Sequence, residues 1–366
     1  MTTTPRHRLL AATAAGLTLL GGLAACSQES DAGGSGGSGG GTDGAAIAFL
    51  MPDQASTRYE EADRPGFEAR LGELCETCEV LYNNADGDAA KQQQQFDSAL
   101  AQGARAIVLD PVDSTAAASL VQQARAQGVP VIAYDRPIPE AAPDFYVSFD
   151  NEAIGALIAQ SLVDHLTELG VPTTGGGLLQ VNGSPTDAAA GLIRDGVDSV
   201  LETSEYPTLA EFDTPEWQPS EAQNWVSGQI SRFSGQVVGV VAANDGTGGG
   251  AIAAFRAAGV TPVPPTTGND ATLAGLQLIL SGDQYNTISK PSEIVAAAAA
   301  EVALQLIEGE TPEADTTLFD APSQLFTPTV ITAENLKAEM VDTGLVDVAE
   351  LCADEYAAAC AQLSIS

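Results

Sequence analysis

Positive charge and histidine are what this chain has least of. Its 366 residues carry 14 Lys+Arg against 49 Asp+Glu, a formal charge of −35, and only two histidines, His7 and His165. A surface that acidic lacks the cationic footprint of a nucleic-acid binder and is repelled by anionic lipid. Two imidazoles are too few for a His-based zinc enzyme. Aromatic residues are 5% of the chain, and the apolar run Leu9–Leu20 is too short to cross about 30 Å of hydrocarbon as a helix. What is abundant is small and apolar: 44% hydrophobic residues and 37 glycines, with 17% charged. That is a globular composition, with room for two or more domains and a large core.

The first residues set the compartment. Arg6 and Arg8 precede the short apolar run, and Leu23-Ala24-Ala25-Cys26 follows it. This layout resembles a bacterial lipobox, which implies a lipoprotein signal peptide over residues 1–25 and a diacylglycerol on Cys26. Residues 27–44 are Gly/Ser-rich and read, with Cys26, as a lipidated, flexible tether. Its reach is about 20–25 Å. The G-x-S-x-G inside it, Gly33 to Gly37, is low-complexity coincidence and not a nucleophile elbow. Cys75, Cys78, Cys352 and Cys360 remain. In an oxidising compartment such local pairs read as two structural disulfides. A four-thiolate zinc site would need two distant pairs to converge. A redox C-x-x-C normally opens a helix, whereas Cys75-Glu76-Thr77-Cys78 ends one.

The body alternates strand and helix. Ala46–Met51, Glu79–Tyr82, Ala106–Leu109 and Val129–Tyr134 read as strands, with helices over Glu60–Leu74, Ala89–Gln102 and Ser114–Gln127. The pattern restarts with a helix at Asn151–Leu169, then strands Gly177–Val181, Gln236–Ala242 and Tyr285–Ser289. Helices are expected at Ala188–Leu201, Glu221–Phe233, Gly248–Ala258, Leu273–Ser281 and Pro291–Glu308. Continuous β-branched runs between helices predict parallel sheets covered on both faces. The reading is therefore α/β: two doubly wound lobes with crossings near residues 149, 289 and 328. Residues 45–149 and 290–328 form the first lobe, and 150–289 with 329–366 the second.

Ligands of open α/β sheets sit beyond the carboxyl ends of the strands. Polar clusters follow six strands or turns: Asp53, Gln54, Arg58 and Tyr59; Asp135-Arg136; Asp150-Asn151; Asn244-Asp245; Asp270; and Lys290. Any one of them reads equally well as a helix cap, Asp150-Asn151 above all. Together they mix Arg and Lys donors, Asp acceptors and Asn, which does both. That mixture suits a neutral polyhydroxyl ligand, with Tyr59 and Trp217 as flat faces for sugar C–H groups.

Several runs carry a resemblance. Tyr134-Asp135-Arg136-Pro137, Phe145-Tyr146-Val147-Ser148-Phe149-Asp150-Asn151, Gly183-Ser184-Pro185-Thr186-Asp187, Asn244-Asp245-Gly246-Thr247-Gly248-Gly249, Gly268-Asn269-Asp270, Ser289-Lys290-Pro291 and Glu313-Ala314-Asp315-Thr316-Thr317 lie in collinear order over residues 45–332. They closely resemble the D-xylose-binding proteins of bacterial ABC importers, in the sugar-binding branch of the periplasmic-binding-protein type I fold. The resemblance implies two lobes on a three-segment hinge that close over a monosaccharide, D-xylose first and another aldose second. The ligand-binding residues it implies are Arg58, Tyr59, Asp135, Arg136, Asn151, Trp217, Asn244, Asp270 and Lys290. Position 59 and the stretch Ala188-Ala189 depart from the pattern, where Trp and Asn are expected.

The implied protein is a monomeric, lipid-anchored, extracytoplasmic binding protein. It would have no cofactor, no metal and no catalytic residue, and would deliver sugar to an ABC permease and its ATPase. The Asn84–Asp88 turn lacks a full EF-hand loop. A sugar-presenting sensory receptor is the near alternative. A dinucleotide-dependent enzyme is the distant one, resting on Gly246–Ala251, which formally fits G-x-G-x-x-A, with Asp270 downstream. A serine triad would need His165, which reads as a helix flank or core residue among Leu162, Val163 and Leu166.

Overall fold

The computed structural model describes residues 41–365. The expected signal peptide over residues 1–25, Cys26 and most of the expected tether lie outside the described residues. Thr42–Gly44, assigned to the tether by composition, already belong to the body: the Gly44 N–H donates to Thr77 Oγ1 at 2.9 Å, and Thr77 Oγ1 to Asp43 Oδ1 at 2.5 Å.

In the first lobe β1 (Ala46–Met51), α1 (Arg64–Leu74), β2 (Glu79–Asn84), α2 (Ala89–Ala101), β3 (Ala106–Leu109), α3 (Ala118–Ala126), β4 (Val131–Tyr134) and β5 (Phe145–Phe149) follow in order. The chain then builds the second lobe: α4 (Asn151–Glu168), β6 (Gly177–Asn182), α5 (Ala188–Leu201), β7 (Thr208–Asp213), α6 (Pro219–Arg232), β8 (Val237–Ala242), α7 (Asp245–Ala257), α8 (Leu273–Ser281) and β9 (Asn286–Ser289). It returns through α9 (Ser292–Glu308), β10 (Thr316–Leu318) and β11 (Ala321–Phe326), and crosses back at β12 (Thr329–Thr332). A tail with α10 (Val348–Leu351) and α11 (Ala357–Gln362) follows. The chain passes between the two sets of strands at Phe149–Asn151, Ser289–Ser292 and Phe326–Thr329.

The large sheet has the order β2-β1-β3-β4-β5-β11-β10 and is parallel except for the β10–β11 pair. Its central strands are apolar throughout because both faces are covered. In β1, Ile47, Phe49 and Met51 pack with Phe67 and Leu71 of α1 and the alanines of α9. Ala48 and Leu50 turn to Phe96 of α2 and to Leu120 and Val121 of α3. This alternation is the period-2 geometry of a strand acting on a run without polar residues.

The second lobe holds a parallel sheet ordered β7-β6-β8, extended by a bridge from Val240 to Thr266, and an antiparallel pair of β9 with β12 at the crossings. Helices α4 and α5 cross where two glycines meet. A Cβ on Gly155 would lie 1.9 Å from the Ile193 carbonyl oxygen, and one on Gly196 would lie 2.1 Å from that of Glu152. Only bare backbone fits there, and the crossing fixes both helices whose N-termini face the cleft.

Local signals decide the helix starts. Asp88, Asp150, Asp187, Asn244 and Thr272 each accept backbone N–H groups at an N-terminus, as capping side chains do. At Asn244 the reciprocal pair with Thr247 starts α7 at Asp245, three residues before the expected start at Gly248. The G-x-G-x-x-A reading fails at that point. A Cβ on Gly248 would meet the Thr267 carbonyl at 2.6 Å and one on Gly250 that of Pro219 at 2.3 Å. These glycines let α7 press on its neighbours and do not cradle a phosphate.

Cys75 is bonded to Cys78 and Cys352 to Cys360, which leaves neither a four-thiolate zinc site nor a dithiol. The second disulfide holds the tail, whose Met340, Leu351, Cys360 and Ile365 cover Leu276 and Ile279 of α8. His165 lies half-buried on α4 with its ring stacked 3.9 Å from that of Tyr285, on the helix flank rather than in the core, the two positions expected. Asn84 and Asp88 spend their side-chain oxygens on backbone N–H groups of their own turn.

Candidate functional site

The carboxyl ends of the strands from both sheets converge on one cleft with about 340 Å³ of empty space, part of it open to solvent. From the first lobe come Ser56, Arg58 and Tyr59 after β1, and Asp135 and Arg136 after β4. Asn151 enters at the first crossing and Lys290 at the second. The second lobe supplies Asp187, Ala189 and Ile193 around the start of α5, Trp217, Asn244 at the cap of α7, and Asn269-Asp270. The structure thus brings together all nine residues expected at a ligand. It divides Asp150-Asn151 into its two possible roles, since Asp150 caps α4 through the Ala153 N–H while Asn151 lines the cleft.

Three buried cations organise the charge. Arg58 stands 3.0 Å from Asp63, 2.6 Å from Asp135 and 4.0 Å from Asp270. Its guanidinium also covers the Tyr59 ring at 4.7 Å. Arg136 reaches Asp53 at 2.6 Å, Asp187 at 3.2 Å and Asp110 at 3.4 Å. Lys290 Nζ stands 3.0 Å from Asp270 and 3.6 Å from Asp135. Tyr59 donates its hydroxyl to Asp135 Oδ2 at 3.2 Å, and Asn244 donates to Asp270 at 3.4 Å. Behind Arg58, Tyr134 donates to Asp63.

The titration of these groups follows from burial against pairing. Burial works to raise the Asp135 pKa, but Arg58, Lys290 and Arg136 outweigh it and hold the carboxylate well below its usual range. For Arg58 burial favours the neutral form, and Asp135 and Asp63 reverse it, so the guanidinium stays charged. Asp110 goes the other way. It is fully buried, and burial raises its pKa more than Arg136 lowers it.

Backbone strain gathers at the same place. Asp135 (φ +56°), Trp217 (φ +56°) and Asp270 (φ +97°) all adopt positive φ without being glycine. Such conformations cost about 1–3 kcal/mol each and cluster at functional sites. The turn at Asp135 is held by its own carbonyl, which accepts the Tyr146 hydroxyl at 2.8 Å and that of Ser148 at 2.9 Å. This gives the Tyr146–Asn151 run two tasks, holding Asp135 in place and delivering Asn151.

Comparison with known proteins agrees with this geometry. Residues 47–311 match the family model described as "Periplasmic binding protein domain". The chain belongs to the periplasmic binding protein family. It is 34% identical over 313 residues to the D-xylose-binding periplasmic protein of Escherichia coli (strain K12), covering 83% of this chain and 92% of that one. The xylitol-binding protein of Mycolicibacterium smegmatis is 33% identical over 242 residues, 65% of this chain and 66% of that protein. Among solved structures, a solute-binding protein of an ABC transporter from Clostridium phytofermentans, with bound β-D-glucose, superposes with a TM-score of 0.77. It is 25% identical over 84% of this chain and 99% of that one. This periplasmic binding protein therefore has the type I fold, is extracytoplasmic and is a solute carrier rather than an enzyme.

Ser56, Asp187, Ala189, Ile193 and Asn269 line the cleft without having been expected there. Asp187 and Asn269 stand inside runs that carried the resemblance, so a signal existed for both. Ala189 falls in the stretch where the resemblance puts an Asn, so it was marked as a departure, whereas Ile193 gave no signal, because an apolar residue facing a cleft looks the same in sequence as one facing the core.

Proposed function

We propose that this periplasmic binding protein binds a neutral monosaccharide, D-xylose first, between its lobes and delivers it to an ABC permease. The observation that carries the reading is the pairing inside the cleft: buried donors and acceptors alternate around a narrow space, and nearly every charge already has a partner. Three cations face six carboxylates, Asp53, Asp63, Asp110, Asp135, Asp187 and Asp270. That balance disfavours an anionic ligand. It suits hydroxyls, each of which donates to a carboxylate and accepts from Arg, Lys or Asn once water has left. Arg58, Asp135, Arg136 and Asn151 would hold one edge of the ring. Asn244, Asp270 and Lys290 would hold the other, with Tyr59 and Trp217 against its apolar face.

The lobes would be residues 45–149 with 290–328, and 150–289 with 329–366. A ligand bonded to both stabilises only their closed arrangement, which the permease can then distinguish from the open one. Cys26 would carry the lipid that keeps this monomer at the membrane. The relatives named for D-xylose and xylitol favour a five-carbon ligand. The glucose-bound neighbour supports an aldohexose as the second reading.

Thermal denaturation of the purified chain with D-xylose, D-glucose, myo-inositol and nicotinamide dinucleotides tests this. A ligand at 100 times its Kd adds about 2.7 kcal/mol, a rise of a few degrees for a protein of this size. The rise should come with D-xylose and vanish in Asp135→Ala and Arg136→Ala. A flat response to every sugar refutes the reading, whichever dinucleotide responds.

A further inference from the structure

Asp187 meets more partners than a helix cap requires. Its Oδ1 accepts the Ala189 N–H at 2.8 Å, which starts α5. Its Oδ2 accepts the indole N–H of Trp217 at 3.0 Å and lies 3.2 Å from Arg136 Nε. The first two partners belong to the second lobe and Arg136 to the first. Arg136 keeps two other carboxylates, Asp53 and Asp110, inside its own lobe, so Asp187 is its acidic neighbour across the cleft. The surrounding turn makes the same crossing. The Ser114 N–H donates to the Thr186 carbonyl at 2.9 Å, Ala188 N–H to Ser114 Oγ at 3.1 Å, and Thr186 Oγ1 to the Val112 carbonyl at 3.3 Å. Residues 112–114 of one lobe are thereby seated on residues 186–188 of the other.

We propose that Asp187 is a positioning residue that latches the closed lobes and sets the Trp217 indole through the same carboxylate. This rests on the reading of the cleft as a sugar site that closes on its hinge. Closure brings Arg136 to Asp187, and the oxygen that receives it is the one holding the indole, so the carboxylate that positions the aromatic wall is also the one that meets the other lobe. The contact with Arg136 is a charge approach and not an aligned hydrogen bond. Asp187 therefore acts on how long the closed state lasts more than on whether α5 or the loop of Trp217 folds.

Stopped-flow fluorescence on a Trp225→Phe background, which leaves Trp217 as the one tryptophan, tests the latch with D-xylose and D-glucose as probes. Asp187→Asn removes the charge and leaves one acceptor oxygen, which serves the Ala189 N–H or the indole N–H but not both. It should leave the association rate within about twofold and speed dissociation about tenfold, as expected for one lost charge-assisted contact, with a smaller emission change on binding. Ser114→Ala, which removes only the Oγ partner of Ala188, should speed dissociation about threefold and decides the matter if Asp187→Asn does not fold. A purely structural role would lower the melting temperature and leave rates and emission as in the parent. Unchanged dissociation in both variants overturns the latch alone. A parent that responds to no sugar overturns it together with the sugar-site reading.

Discussion

Gly183→Ala should disable the site while sparing the fold. Gly183 follows β6, and its carbonyl accepts the Thr214 N–H at 3.1 Å, tying it to the loop that carries Trp217. A Cβ at this position would lie 2.1, 2.2 and 2.6 Å from three carbons of the Trp217 ring. Ordinary carbon contacts are about 3.5–4.0 Å, so the ring must retreat by about 1.4 Å. The indole N–H starts 3.0 Å from Asp187, and a retreat of that size takes it out of hydrogen-bond range. Glu216 and Trp217 both already have positive φ, which leaves the loop little freedom to follow. The loss combines a hydrogen bond to a charged group, about 1.5–3 kcal/mol, with part of an aromatic contact, about 0.5–1.5 kcal/mol. Sugar affinity should fall by roughly 30- to 2000-fold on calorimetric titration. Gly191→Ala, on the helix α5 that follows, is the control, since its Cβ would meet nothing within 4 Å. It should keep the affinity and gain up to about 1 kcal/mol of stability. A Gly183→Ala protein that binds within about threefold of the parent would refute the claim that the indole position governs affinity.

Four more outcomes follow from particular contacts. Gly155→Ala places a methyl against the Ile193 carbonyl and should cost about 3 kcal/mol or more by denaturant unfolding, because two backbones must separate. Burial first, and Asp270 second, push Asp245 up to about 7. The folded chain therefore holds a proton that the unfolded chain releases near pH 4, and stability from this group is full below pH 4 and lost as pH rises through 7. Unfolding at pH 5 and pH 8 should show the parent losing more stability than Asp245→Asn, at up to about 1.4 kcal/mol per pH unit between those limits. Replacing Cys352 and Cys360 by Ser opens a bridge spanning eight residues. It should cost about 2–3 kcal/mol and speed hydrogen exchange in the tail, with sugar affinity unchanged. Ala189→Ser adds a hydroxyl to an apolar wall and should narrow the affinity gap between D-xylose and its epimers by about threefold or more, read by competition.

The strands β1 and β3 were legible because burial on both faces leaves nothing polar in them. Leu273–Ser281 was placed to the residue, bounded by a Thr272 cap and by Gly282 in the left-handed region. The misses have the opposite character. Thr208–Asp213 lies at the edge of its sheet with every residue exposed or half-buried, so TLAEFD has no apolar run to read. In Ala321–Phe326, Pro322 signals a loop, yet β11 tolerates it between β10 and β5. Ser114–Ala117 has helical composition but is occupied in turns, because Ser114 meets the other lobe. No local pattern encodes a contact made across a cleft.

The same distinction explains the site. Arg58, Asp135, Arg136 and Lys290 stood out as charges directly after apolar strands, where a charge needs a reason. Asp63 and Asp110, which complete the network, are two acids among 49: Asp63 ends the acidic run Glu60-Glu61-Ala62-Asp63, and Asp110 follows an apolar strand but reads with Pro111 as a turn. Asp187 was legible as a cap and is one, which concealed its second task. Least legible was the asymmetry of the cleft. The first lobe and the crossings present charges and amides, while α5 and the loop after β7 present Ala189, Ile193 and Trp217. The one donor on that wall, the indole N–H, is held by Asp187, and Ala189 has its N–H bound to the same residue. A hydroxyl turned toward this wall loses water and gains no partner, at about 1–3 kcal/mol. Selection among neutral sugars of equal size then depends less on the charged residues that announce the site than on which of its faces offers nothing.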